Sequence, residues 1–242
     1  MKNYITLFLC VFLLSINSFS QNLTGQELLE KAITYHDPNG VWLNFKGTLN
    51  ITMETPNNSN RDSKVEIDFP KKYFNLETTR DSTTIHYTLN KSKCIISLTD
   101  SIRISKQTEK PKRTHCETAN LYKNYYTYLY GLPMKLNDSG TNIHEKIEHK
   151  TFKGKDYLVL KATYDEAVGS DVWYFYFNPK TYAMEIYQFF KTDENGSLKP
   201  DSGEYILLTD EATINNIKMP KNRAWYYNKD DKYLGTDILQ TL

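Results

Sequence analysis

Two histidine clusters are where this chain could do chemistry. His144-Glu145-Lys146-Ile147-Glu148-His149 has the residue types of a zinc-protease motif. The spacing does not fit it. A metal-binding H-E-x-x-H needs histidines four residues apart, on one face of a helix. Here the step is five, which rotates the second imidazole about 140° away on a helix and sends it to the opposite face on a strand. A solvated β-edge fits this segment better, and no metal site is expected.

The second cluster is His36-Asp37-Pro38-Asn39-Gly40. A carboxylate can orient an imidazole for general base catalysis. Adjacent residues seldom do this for each other, and no nearby Ser or Cys completes a nucleophile set. The competing reading is a helix stop, with His36 at a helix C-terminus where positive charge is favoured.

Cys94 and Cys116 allow two readings. In an oxidising compartment they form a disulfide, and closing the loop between them stabilises by about 3 kcal/mol on the chain-entropy estimate. Otherwise they are two thiols, because spacing does not reveal geometry. No G-x-S-x-G elbow and no phosphate-binding glycine loop occurs. Carboxylates are plentiful, but nothing marks a glycosidase pair among them. No cofactor is expected. Sequons such as Asn50-Ile51-Thr52 read as chance matches in an Asn-rich chain.

The residues that must position any site begin after an export signal. Met1–Ser20 has Lys2, an apolar run from Ile5 to Leu14, and small residues before a cut after Ser20. These are the three parts of a secretory signal peptide. The apolar run is too short to span a bilayer. Cys10 lies inside that run rather than at the cleavage site, so no lipobox is present. The expected product is residues 21–242, a single domain that is periplasmic or secreted, with no stable membrane span. The chain has 30 Lys and Arg against 29 Asp and Glu. The signal segment contains one Lys and no acid, so the remainder is formally neutral. Nucleic-acid binding, which needs clustered basic surplus, is disfavoured.

Thr24-Gly25-Gln26-Glu27 fits a capping box, with Leu23 and Leu28 as its staple. Leu28, Leu29, Ala32 and Ile33 make a helical stripe that ends at Asp37–Gly40. The period then changes to two: Leu43, Phe45, Leu49, Ile51 and Met53 point one way along a long strand. Thr55–Ser63 reads as a polar loop. Strands are expected at 64–69, 73–79, 83–89, 94–98 and 102–105, followed by a basic loop, Lys106–Arg113. Cys116–Leu132 reads as a helix rich in tyrosine, ended by Gly131 and Pro133. Packing on a sheet and lidding a pocket are its two readings. From Ile143 onward, sequential strands with short turns read as an antiparallel meander.

Several segments resemble a known class. Gly154–Leu160, Trp173–Tyr182 and Ile217–Lys221, in this order of elements, resemble the LolA/LolB class of periplasmic lipoprotein carriers. Tyr35–Trp42 and Tyr130–Pro133 look like an uncharacterised family of secreted proteins in Gram-negative bacteria. The resemblance implies an α+β, mostly β fold: a curved antiparallel half-barrel of about ten or eleven strands over an N-terminal and a middle helix. It also implies an apolar cavity for acyl chains. Its expected walls are Leu43, Phe45, Leu49 and Ile51 of the first strand, and Val65, Ile67 and Phe69 of the next. Tyr125 and Leu129 of the middle helix join them, as do Phe175 and Phe177 of the meander.

Three functions follow in order. The first is a carrier whose partner is a lipid or an acylated protein. The second is a scaffold that docks other envelope proteins through an exposed aromatic patch. The third is an enzyme with its site at His36 and Asp37.

Overall fold

The structure is a computed structural model describing residues 23–99 and 115–241. The signal segment expected at residues 1–20, the strand expected at 102–105 and the basic loop expected at 106–113 lie outside the described residues. Helix α1 (Gly25–His36) begins with the expected capping box: the Glu27 amide donates to Thr24 Oγ1 at 3.2 Å, and the Thr24 amide donates to the Glu27 carboxylate at 2.8 Å. Leu28, Leu29 and Ala32 are buried along one stripe. Gly25 is needed where the helix start crosses the chain at His144. A Cβ there would sit 2.0 Å from the His144 carbonyl oxygen.

Among the described residues, thirteen strands form one antiparallel sheet. The first group is β1 (Lys46–Thr55), β2 (Asn58–Asp68), β3 (Tyr73–Arg80), β4 (Thr83–Asn90) and β5 (Lys93–Thr99). Helix α2 (His115–Gly131) follows. The second group is β6 (Thr141–Ile143), β7 (Glu148–Phe152), β8 (Lys155–Tyr164), β9 (Val172–Phe177), β10 (Met184–Phe190), β11 (Glu204–Ile214), β12 (Ile217–Tyr227) and β13 (Tyr233–Gln240). Consecutive strands pair from β1 to β5 and from β7 to β13, β6 pairs β8 rather than β7, and β1 pairs β13, which joins the two groups. The sheet does not close: β5 is one edge, and β6 and β7 lie along β8 at the other.

Alternation builds the inner face. Leu49, Val65, Leu76 and Tyr87 stand opposite one another across β1 to β4. Ile67, Phe74, Leu89 and Cys94 form the next row across β2 to β5. Such directly opposed apolar pairs are the unit of sheet stability. Both helices pack on this face. Cys94 on β5 is disulfide-bonded to Cys116 in the first turn of α2, tying the edge strand to the helix.

Two expectations about the first strands change. Trp42–Asn44 is a 3-10 turn, not strand. Its amides are held by the Asp37 carboxylate, which accepts from Val41 N at 2.9 Å and Trp42 N at 2.8 Å. That turn resets the alternation, so Leu43 points outward and is 79% exposed. Residues 55–63 are a tight hairpin with β2 already running at Asn58, because Thr55 pairs Asn58 and Arg61 pairs Arg80.

The outer face has a second, smaller core. Tyr157, Val159, Val172, Tyr174, Tyr176 and Ile186 are buried there. The β7–β8 hairpin folds over it. Phe152 reaches Tyr176 and Tyr205 at ring distances of 5.5 and 5.3 Å, and Lys153 pairs with Asp231 at 2.6 Å. This is why the aromatic segment 172–177 is buried on both sides rather than presenting an exposed patch.

Candidate functional site

His36 sits at the last turn of α1 and is 1% exposed. Its Nε2 accepts the Met184 amide at 2.9 Å, so its Nδ1 bears the proton and donates to the Lys218 carbonyl at 2.7 Å. Both ring nitrogens are therefore committed to backbone groups. Burial pushes its pKa below the usual histidine value. The imidazole is a neutral clasp between α1, β10 and β12, not a cation at a helix end. Asp37 is occupied by the two amides of the 3-10 turn and faces away from this role. The imidazole has no free lone pair for base catalysis, and Asp37 does not orient it. His144 and His149 also stay apart: His144 lies beside Thr163 on β8, and His149 is exposed on β7. No group of His, Cys, Asp and Glu able to hold a metal occurs among the described residues.

Most of the expected cavity walls lie together. Phe45, Leu49, Ile51, Val65, Ile67, Leu129, Phe175 and Phe177 are buried in one core, with Phe69 and Tyr125 packed at its margin. Leu43 is not among them. A core at organic-crystal density has no space for a chain unless something moves. Of the expected walls, Ile67 and Phe69 also line an opening. It is a cleft of about 630 Å³ between α2 and the β2–β5 wing, floored by Phe74, Leu89 and the disulfide as well.

Beneath α2 lies a polar row that the residue pattern did not reveal. Arg80, Arg61, Met53, Asp237, Arg223 and Leu208 stand opposite one another across β3, β2, β1, β13, β12 and β11. Arg223 and Asp237 are each 1% exposed. Arg223 donates to the Pro220 carbonyl at 2.9 Å and lies 3.7 Å over the Tyr130 ring, a desolvated cation–π contact. Its Nε and the Tyr130 hydroxyl have no partner. Asp237 accepts from Tyr125 at 3.2 Å. Burial raises the Asp237 pKa above the usual carboxylate range, against the pull of Arg223 and Arg61.

The tyrosines of α2 sit on this row. Tyr126 donates to Ser63 at 3.2 Å, and Tyr128 shares a hydrogen bond with Tyr164 of β8. Tyr125 stacks on Trp225 of β12. The helix thus bridges both halves of the sheet through ring faces and hydroxyl tips. Burial holds Tyr125, Tyr128 and Tyr130 well above the usual phenol range, so all three remain donors. The tyrosine spacing in the sequence was the only signal of this interface. The arginines and the aspartate beneath it come from four strands with no shared local pattern.

No helix among the described residues is long and apolar enough to cross a membrane. The chain belongs to DUF6503, a family of unknown function, whose pattern matches residues 2–240. No curated protein sequence matches it. Its fold is similar to that of a LolA superfamily protein from Nitrosomonas europaea, at 13% identity and TM-score 0.51, covering 91% of this chain and 93% of the other. A DUF1329 family protein from Desulfovibrio piger aligns over 89% of this chain and 91% of its own, at 8% identity and TM-score 0.47. The chain is thus a member of an uncharacterised family with a LolA-like fold.

Proposed function

We propose that this protein, released by cleavage after Ser20 as a single domain, is a soluble periplasmic carrier or binder of lipid or lipoprotein acyl chains. The observation that carries the reading is the cleft under α2, whose floor of Ile67, Phe69, Phe74 and Leu89 runs without a break into the core. Its volume lies within the range of small-molecule sites. Each methylene buried there stabilises a bound chain by about 0.8 kcal/mol. The LolA-like fold supports the same reading at the level of architecture only.

The residues beyond the cleft are buried against one another, so a chain longer than the cleft requires α2 to shift. The contacts beneath α2 suit such a shift. Tyrosine hydroxyls and an arginine find water as an alternative partner when the helix lifts, whereas an all-apolar seam does not. Phe45, Leu49, Ile51, Val65, Phe175 and Phe177 then become walls of the opened space.

Native mass spectrometry of protein recovered from its own periplasm tests this. A co-purifying acyl species is expected, and its loss in Phe69→Glu, which places a charge on the cleft floor. Consistently lipid-free protein that also fails to take up added long-chain lipids overturns the carrier reading.

A further inference from the structure

The walls of the cleft under α2 are apolar, but its rim is cationic. Lys72, Lys91, Lys93 and Lys123 line it, and no carboxylate among the described residues does. Some lysines outside the cleft, such as Lys64, Lys71, Lys150, Lys153 and Lys155, meet an acidic partner within 4 Å, and others do not; what marks the rim is the grouping of four lysines around one opening. None of the four rim lysines has such a partner among the described residues. The chain as a whole is close to neutral, so this is a local surplus.

The backbone places two of these charges deliberately. Lys72 ends the β2–β3 turn and Lys91 begins the β4–β5 turn, and the Lys91 amide donates to the Lys72 carbonyl at 2.9 Å. The two turn tips are therefore locked side by side. Lys72 has φ of 53° and Lys91 φ of 55°. Lys93 follows on β5, and Lys123 faces them from α2, about two turns after the disulfide.

We infer that the cleft receives a single acyl chain that ends in an anionic head, a long-chain carboxylate, with the head held at the lysine rim and the chain running over Phe69, Phe74 and Leu89 toward the core. The inference rests on the carrier reading and adds the ligand class. Lysine ammonium groups act as compact point charges and suit a small anion that does not need a bidentate fork. The cleft's size suits one chain. Charge attraction at a partly exposed rim is screened by salt, so binding weakens as ionic strength rises.

The test is calorimetric titration of the cleaved full-length protein with palmitate, hexadecanol and hexadecyl phosphate. Palmitate is expected to bind at least about tenfold more tightly than hexadecanol at low salt, and to lose most of that advantage at about 0.5 M salt. In the variant Lys72→Gln/Lys91→Gln/Lys93→Gln/Lys123→Gln, palmitate affinity falls about tenfold or more while hexadecanol affinity holds, which also shows that the cleft still folds. Equal binding of palmitate and hexadecanol, unaffected by the variant, overturns the anionic-head assignment and leaves the carrier reading standing. Binding of hexadecyl phosphate without palmitate overturns the carboxylate assignment. Absence of binding by all three defeats both proposals.

Discussion

Two helices rest on the same face of one sheet, and they do so by different physics. Under α1, Leu28, Leu29 and Ala32 meet apolar side chains, and the one polar side chain, His36, has both nitrogens satisfied. Under α2, tyrosines meet a row that holds Arg61, Arg223 and Asp237, and several polar atoms there lack partners. A buried polar seam that is only partly satisfied is costly, and it loses least when water enters. The first helix is fixed to its half of the sheet. The second is held by contacts that exchange with water, and it is the one that borders the cleft.

The largest effect that separates the two regions is expected at the polar row. Arg223→Met leaves Asp237 buried with a weaker counter-charge and is expected to cost about 3–5 kcal/mol in urea unfolding. The double variant Arg223→Met/Asp237→Leu removes both charges and is expected to recover most of that stability. If the double variant is as unstable as the single, the row is a plain structural core and the contrast with α1 is lost.

A smaller effect is expected at the clasp under α1. Burial lowers the folded-state pKa of His36, so the unfolded chain takes up the proton first. Its contribution is complete above about pH 6.5 and declines as pH falls toward the folded value, by at most about 1.4 kcal/mol per pH unit. His144 has a pKa shifted the same way by burial and adds to the slope. His36→Gln keeps a donor and an acceptor without titrating. Its stability is expected to fall less steeply than the parent's between pH 7 and 5 by chemical denaturation, and an identical slope removes the buried neutral clasp.

The smallest effect concerns how α2 opens. Tyr126→Phe removes the hydrogen bond to Ser63 and is expected to cost about 1 kcal/mol. By hydrogen exchange, that loss should speed the α2 amides while those of α1 keep their protection. Equal acceleration in both helices makes them one cooperative unit.

Much of the architecture was legible in the residue order. The Thr24–Glu27 box, the helix stop at Asp37, the tyrosine helix and the meander after Ile143 all depend on neighbours a few residues apart. The errors arose where distant groups intervened locally. Asp37 turned Trp42–Asn44 and threw Leu43 outward. Inward-facing Arg61 and Ser63 made the start of β2 look like loop, since polar side chains usually mark the solvent face. Of the expected cavity walls, Leu43 alone lies far from the others, which share one buried core or its margin.

The sequence by itself determined the alternation of the strands, the caps and stripe of α1, and the apolar face to which both helices bind. These follow from period and capping chemistry within one segment. Only the tertiary structure decided that Arg80, Arg61, Asp237 and Arg223 share one row, that Lys72 and Lys91 rim one cleft, and that His36 is sealed between β10 and β12. Each of those depends on cross-strand register, and above all on the pairing of β1 with β13, which no local pattern encodes.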